Sequence, residues 1–363
     1  MSLAPIPADG LRIARDMALA LAIGVAGGAV FDYLTAPLPW MLGAAFFTLV
    51  AAHAGVPIRM PAWTNAVVVP IIGVMLGSTF APETLDRVMQ WVPSLAGLFV
   101  FVVVLVGGAT WLLTRGLGYS PVTAFFSAAP GGYMAMYTVG TALGGDARAI
   151  ALIHATRAFL TIFIVPFFFR IFAGYEPTGA ALTHASESLD PVDLVFLTLA
   201  GLGGYWIAKK LRMAAPFMMG PLIASAAVHM SGLTAASPPD LLVIVAQVFI
   251  GAGMGTRFHG ASIRSIASTT AVGALLTALM MALGIGFAAG LAEAFGLSFF
   301  ALVLAFAPGG IAEMALVSLA LNLDTPFVST HHLVRFVMIM LLAPVAFRLL
   351  AKWFKIQEKI DSN

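Results

Sequence analysis

The chain contains no cysteine, which excludes disulfides, thiolate nucleophiles and cysteine metal ligation. Charge is scarce: 9% of the 363 residues are Asp, Glu, Lys or Arg, against roughly 25% in a soluble domain. So little charge cannot cover a water-facing surface, and the basic residues form no patch that would track a nucleic-acid backbone. The net charge of +2 says little about partners. No cleavable signal peptide is expected, because the run after Met1–Gly10 is too long for an h-region. Apolar residues dominate, at 61% with a mean hydropathy of +1.00. They fall in runs of about 20 residues, enough to cross a hydrocarbon core of about 30 Å. The expected fold class is an all-α polytopic membrane protein.

One phrase occurs twice, and the rest of the chain follows it. Ala129-Pro130-Gly131-Gly132 returns as Ala307-Pro308-Gly309-Gly310, 178 residues later. At the same spacing Asp146, His154, Arg157 and Pro166 return as Asp324, His332, Arg335 and Pro344. Gly73 and Gly77 return as Gly251 and Gly255, and Pro39, Met41 and Gly43, at spacing 177, as Pro216, Met218 and Gly220. The chain is a duplicated unit. Residues 1–173 form an N-terminal membrane repeat, 174–191 a polar linker with Glu176, His184, Glu187 and Asp190, 192–351 a C-terminal repeat, and 352–363 a cytoplasmic tail.

Each repeat holds six apolar segments: 11–34, 36–55, 64–80, 90–115, 120–145 and 147–172, then 192–211, 214–232, 240–258, 266–293, 298–322 and 325–351. The fifth of each carries the Pro-Gly-Gly break. Proline removes a helical hydrogen bond and clashes with the preceding turn. The arms on either side are each about half a bilayer long. Such a segment is either a broken helix that crosses or a re-entrant hairpin. The Lys/Arg distribution separates the two, since these residues favour cytoplasmic loops. If the segment crosses, nine Lys/Arg lie inside and seven outside; if it turns back, the second repeat is inverted and the count is 14 against two. Two inverted repeats of five crossings plus one re-entrant segment are therefore expected, with both termini cytoplasmic in a bacterial inner membrane.

Arg157 and Arg335 lie about ten residues into their helices, roughly 15 Å deep. A central arginine costs roughly 2.5–3.5 kcal/mol to insert, so each needs compensation by a fixed carboxylate or by a bound anion. A guanidinium fork suits a carboxylate or phosphonate. The half-helices that start after Gly131-Gly132 and Gly309-Gly310 turn positive N-terminal ends toward mid-depth. Substrate sites of inverted-repeat transporters lie at such discontinuous helices. His154 and His332 precede the arginines by three residues and share their helix face. They can bind substrate, relay protons or bond within the bundle. Tyr133 can donate a hydroxyl or simply pack. Glu313, where the first repeat has Ala135, can take a coupling proton, ligate Na⁺ or pair with Arg335. His331 and His332 are poor metal ligands, being adjacent on a helix beside an arginine. Asp146 and Asp324 read as helix N-caps.

PWMLGA (39–44), AAPGGYMAM (128–136), MGPLIASA (219–226) and APGGIAEMAL (307–316) resemble the AbrB-type integral membrane family. That family is a duplicated hydrophobic protein whose members are often labelled ammonia monooxygenases or regulators. The resemblance covers nearly the whole chain and implies kinship with inverted-repeat secondary transporters. The labels fit the residues poorly: an oxygenase needs a metal-ligand cluster, and a DNA-binding regulator needs a basic soluble module. The expected function is secondary active transport of a small organic anion (carboxylate, amino acid or phosphonate), with H⁺ or Na⁺ as coupling ion and no other cofactor. The alternatives are a membrane-embedded oxygenase or hydrolase and an anion channel. The expected partners are the anion, membrane lipid and a second copy in a homodimer, with no nucleic acid.

The charge distribution makes a topological prediction. Single cysteines at positions 59, 115, 148, 212 and 264 should all label from the cytoplasmic side. Labelling of 115 and 148 from opposite sides would mean that the fifth segment crosses.

Overall fold

The computed structural model describes residues 8–174, 190–258 and 263–353. Glu176, His184 and Glu187 of the polar connection, and Lys355 and Lys359 of the tail, lie outside the described residues. All described secondary structure is helical. In the first repeat the helices are α1 (Ala8–Tyr33), α2 (Pro39–His53), α3 (Trp63–Gly77), α4 (Thr84–Val88), α5 (Val92–Trp111), α6 (Pro121–Ala128), α7 (Tyr133–Ala142) and α8 (Ala147–Phe172). In the second they are α9 (Pro191–Thr198), α10 (Gly204–Lys210), α11 (Pro216–Met230), α12 (Asp240–Gly255), α13 (Ile263–Phe295), α14 (Phe299–Phe306), α15 (Ile311–Ala320) and α16 (Thr325–Trp353). Among the described residues seven helical stretches are long and apolar enough to cross a bilayer: 10–33, 84–116, 147–172, 191–210, 240–258, 269–295 and 325–343. The chain is a polytopic membrane protein. α2, α3 and α11 are apolar but have 15 residues each, about 22 Å at 1.5 Å per residue.

The helices gather into two compact units that cut across the sequence repeats. One comprises Met1–Pro82 and Pro166–Ser262, the other Glu83–Val165 and Ile263–Asn363. Each unit thus combines half of one repeat with the equivalent half of the other.

In the first unit small residues set the spacing. α1 runs antiparallel to α2 with Gly27 against Gly43, and α10 meets α11 with Gly204 against Gly220; a Cβ on Gly204 would lie 2.6 Å from the Gly220 carbonyl oxygen. The repeats then exchange partners. Gly73 and Gly77 on α3 lie on α11, where a Cβ at Gly77 would come within 2.6 Å of Leu222 O. Gly251 and Gly255 on α12 lie on α2, where a Cβ at Gly255 would come within 2.6 Å of Ala45 O. Hydrogen bonds follow the same exchange: Ser225 Oγ donates to Val74 O at 2.8 Å and Thr48 Oγ1 reaches Ala252 O at 3.5 Å. Reciprocal contacts of this kind are what a two-fold rotation produces. The turns that open α2 and α11 are duplicated as well. Thr35 and Leu38 adopt left-handed backbone, and so do their equivalents Arg212 and Ala215.

In the second unit each fifth segment folds back on itself. α6 and α7 have eight and ten residues, about 12 and 15 Å, so neither arm spans a bilayer. α7 returns along α6. A Cβ on Gly140 would meet the Phe126 side chain at 2.9 Å, one on Gly145 would meet Val122 at 3.2 Å, and Asp146 N donates to Thr123 Oγ1 at 2.9 Å. The segment is a hairpin rather than a straight broken helix. Neither break uses left-handed glycine, for Gly131, Gly132, Gly309 and Gly310 are absent from the positive-φ residues. The reason for glycine is space: a Cβ on Gly131 would meet Ile339 at 2.8 Å and one on Gly132 would meet Phe336 at 2.6 Å. Edge-on rings fill the core, with Phe101 at 5.1 Å from Phe306 and Trp91 at 5.7 Å from Phe327. An apolar groove of about 340 Å³ is lined by residues such as Phe99, Val103, Phe125, Met338 and Leu342, and offers no polar group to an anion.

The close approaches predict a contrast between two glycines on α12. Gly255→Ala should destabilise by about 1–3 kcal/mol through overpacking. Gly253→Ala, which meets nothing within 4 Å, should be neutral or stabilising by up to about 1 kcal/mol. Thermal unfolding in detergent checks both.

Candidate functional site

A hairpin that turns back inside a bilayer strands the last carbonyls of its first arm, since those of a helix C-terminus have no intrahelical donor. Lipid cannot supply one. The structure fills this need twice, with the same two side chains. His154 Nε2 donates to Phe126 O at 2.8 Å, and Arg157 Nη1 donates to Ser127 O at 3.4 Å. In the second repeat His332 Nε2 donates to Leu304 O at 2.9 Å. Arg335 Nη1 and Nη2 donate to Ala307 O and Gly309 O, both at 2.6 Å. Each arginine also donates to its own histidine, Arg157 Nη2 to His154 Nδ1 at 2.9 Å and Arg335 Nη2 to His332 Nδ1 at 2.7 Å.

These bonds fix the tautomers. A guanidinium can only donate, so each Nδ1 must be the acceptor and each ring proton sits on Nε2. Both imidazoles are neutral with both nitrogens engaged. Proton relay through His154 or His332 would require breaking an arginine bond first. The spacing of three residues matters for the same reason, since it stacks histidine and arginine one turn apart on one face of α8 and of α16. Asp146 and Asp324 fix where those helices begin: Asp146 Oδ1 accepts from Arg148 N and Ala149 N at 2.9 and 3.0 Å, and Asp324 Oδ1 from Phe327 N at 3.1 Å.

All four clamp residues are at most 5% exposed. Their charge is not met by a carboxylate. Neither arginine joins an ion pair among the described residues, where Arg15 pairs with Asp16 at 2.8 Å and Arg87 with Asp324 at 3.0 Å. The pairing of Glu313 with Arg335 that the sequence allowed is thus not formed. Carbonyl dipoles at a helix C-terminus take its place, and these favour a cation. Glu313 instead folds back onto Gly310, its Oε2 lying where a Cβ on Gly310 would stand. Gly310 is the N-cap of α15 and Glu313 the third helical residue, the register in which a capping-box glutamate reaches back to the N-cap. That spacing was legible in the sequence as Gly-x-x-Glu.

The first break lies against the helix that carries the second clamp, for a Cβ on Gly131 would meet Ile339 and one on Gly132 would meet Phe336, both of α16. Tyr133 lies beside the first clamp, its ring tilted at 6.0 Å from His154 and 5.7 Å from Tyr137. His331 has a separate role that the pattern of duplication does not reveal. Its Nε2 meets Ser94 Oγ at 2.9 Å and its Nδ1 meets Phe327 O at 2.8 Å, tying α16 to the start of α5. Three hydroxyls on or beside the elements of the first clamp, Ser127 Oγ, Thr156 Oγ1 and Thr161 Oγ1, are buried without a hydrogen-bond partner. Among the described residues no group of three or more His, Asp or Glu is gathered as a metal would need.

The sequence profile of the family described as "Transition state regulatory protein AbrB" matches residues 40–351. A Bacillus subtilis (strain 168) protein named YhjN is 28% identical over 358 residues, covering 91% of this chain and 92% of the relative. An Escherichia coli (strain K12) protein named "Putative regulator AbrB" is 23% identical over 323 residues, covering 87% of this chain and 91% of the relative.

The clamp geometry predicts unequal effects of removing the two arginines. Arg335→Ala strands two carbonyls held at 2.6 Å and should destabilise by about 1–3 kcal/mol for each. Arg157→Ala loses one long carbonyl bond at 3.4 Å and should cost clearly less. Comparison of the two melting temperatures in detergent checks this.

Proposed function

From the premise that this chain belongs to the AbrB family and is a polytopic membrane protein, we propose that it is a secondary active transporter of a small organic anion. The observation that carries this reading is the pair of buried arginines at duplicated helix breaks, neither of them in a described ion pair. Buried cations without a fixed counter-charge, beside two positive helix ends, suit a transient anion. Arg157 and Arg335 through their remaining N–H donors, Tyr133 and the glycines of the two breaks are the residues that would meet it, with His154 and His332 orienting the arginines.

The packing directions favour inverted repeats. Residues 56–60 stay against the end of α2, with Ile58 beside Ala51 and Ala52, so α3 starts where α2 finishes. α3 then runs in the same direction as α11, with Gly73 facing Met218 and Pro221 and Gly77 facing Ser225 and Ala226. Equivalent helices α2 and α11 therefore run oppositely. The pairing of Arg87 with Asp324 and of Arg170 with the Thr35 carbonyl agrees with the same arrangement, since all four belong to the outer side in the inverted topology. Inverted repeats around discontinuous helices are a common plan for alternating access.

Glu313 is the one carboxyl at a break and the leading ion-coupling group. With its proton it is neutral; without it, it carries a charge onto the α15 N-terminus. Glu313→Gln should abolish concentrative, proton-driven uptake into proteoliposomes while leaving anion exchange in place, because Gln keeps the shape and cannot change charge. Unchanged accumulation would leave Glu313 only a capping role, and absence of any saturable anion flux in the parent protein would overturn the transport reading itself.

A further inference from the structure

The two breaks are built alike and used differently. In the second, the groups that could receive an anion are the more heavily committed. Arg335 donates three bonds of 2.6, 2.6 and 2.7 Å, and the Glu313 carboxylate lies over Gly310 at the α15 N-terminus. In the first, Ala135 stands where Glu313 would be, so no carboxylate of this chain lies over Gly132, the N-cap of the ten-residue α7, as Glu313 lies over Gly310. Arg157 there donates to one carbonyl at 3.4 Å and to His154 at 2.9 Å. A guanidinium has five N–H donors, so three of this fork's are uncommitted, against two on Arg335, although the residue is only 5% exposed. The Ser127 hydroxyl, on the residue whose carbonyl Arg157 touches, is fully buried and unpartnered.

We propose that the substrate's carboxylate binds at the first break only, between the N-terminus of α7, Arg157 and the Ser127 hydroxyl, in the position that the Glu313 carboxylate takes at the second. This rests on the transport reading above and narrows it: the transported anion is a carboxylate, and Glu313 is its resident counterpart in the other repeat. The same geometry makes Arg335 a positioning residue that holds the turn between α14 and α15, and Arg157 the substrate-binding one. The edge of the Phe336 ring lies over Gly132, 2.6 Å from where a Cβ would be. It covers the place equivalent to the one that the Glu313 carboxylate fills. The ring is only partly buried, and its rotation admits the ligand.

A tethered carboxylate tests the site without knowledge of the substrate. Ala135→Glu puts a carboxylate at the third residue of α7, as Glu313 stands in α15, and Ala135→Gln is its neutral isostere. In the full-length protein in detergent, A135E should melt at least about 2 °C above A135Q. The difference should vanish when each is combined with Arg157→Gln. A135E should also block carboxylate flux that A135Q allows, because the tether occupies the site. Equal melting of A135E and A135Q, a difference that survives R157Q, or folding of A135Q but not A135E would each overturn the proposal. If neither variant folds, propionate is titrated into the parent protein and followed by saturation-transfer NMR. Its binding should fall at least tenfold in R157Q and persist in Arg335→Lys; no binding, or loss in R335K alone, overturns it. An A135E effect that depends on Arg157, together with no anion flux through the parent protein, would defeat the transport reading and leave the site standing.

Discussion

A helix that stops inside a bilayer leaves carbonyl groups that neither lipid nor water will satisfy, and this chain meets that constraint with an arginine and a histidine one turn apart. His154 and Arg157 hold the end of α6; His332 and Arg335 hold the end of α14. The rest of the second unit follows from this. α8 and α16 must run beside the first arm of each hairpin, so the return arm lies antiparallel to both. Asp146 and Asp324 set the register in which the clamp meets its carbonyls. The cost of burying a guanidinium is offset by dipoles that need a donor and favour a cation, so the charge is accommodated without a carboxylate.

Glycine has two distinct uses in the fold. In the first unit Gly27, Gly43, Gly204 and Gly220 let neighbouring backbones touch within a repeat, while Gly73, Gly77, Gly251 and Gly255 do the same between repeats. In lipid, where apolar burial drives helices together only weakly, such close contact is a main source of association. At the Pro-Gly-Gly breaks the glycines leave room for Phe336, Ile339 and the Glu313 carboxylate. Neither use depends on left-handed backbone, which this chain places at other glycines, such as Gly55, Gly118, Gly232 and Gly296, and at Leu38 and Ala215.

Duplication followed by divergence gives a clear division between the two breaks. Where they agree, at His154/His332 and Arg157/Arg335, the shared bonds are structural. Where they differ, at Ala135/Glu313 and in the lengths of the arginine bonds, one break carries its own carboxylate and short clamp bonds, and the other has neither a carboxylate nor a short bond from its arginine to a carbonyl. Asymmetry between equivalent residues is therefore a better guide to a ligand here than the repeated motif, because the repeated part is already explained by the helix ends.

Composition, periodicity and the repeat by themselves determined the helical membrane class, the segment boundaries to within a few residues, the break at each Pro-Gly-Gly, the caps at Asp146 and Asp324, and the singling out of Arg157, Arg335, His154 and His332. These are legible because apolar run length, a missing proline N–H and short-range spacing act locally along the chain. Only the tertiary structure decided that the arginines face backbone carbonyls rather than Glu313, that Glu313 lies on its own N-cap, that His331 ties to Ser94, and that each compact unit takes half of each repeat. Those outcomes depend on which groups meet across tens to hundreds of residues of intervening chain. A one-dimensional pattern counts the donors, but it does not say which acceptor each will find.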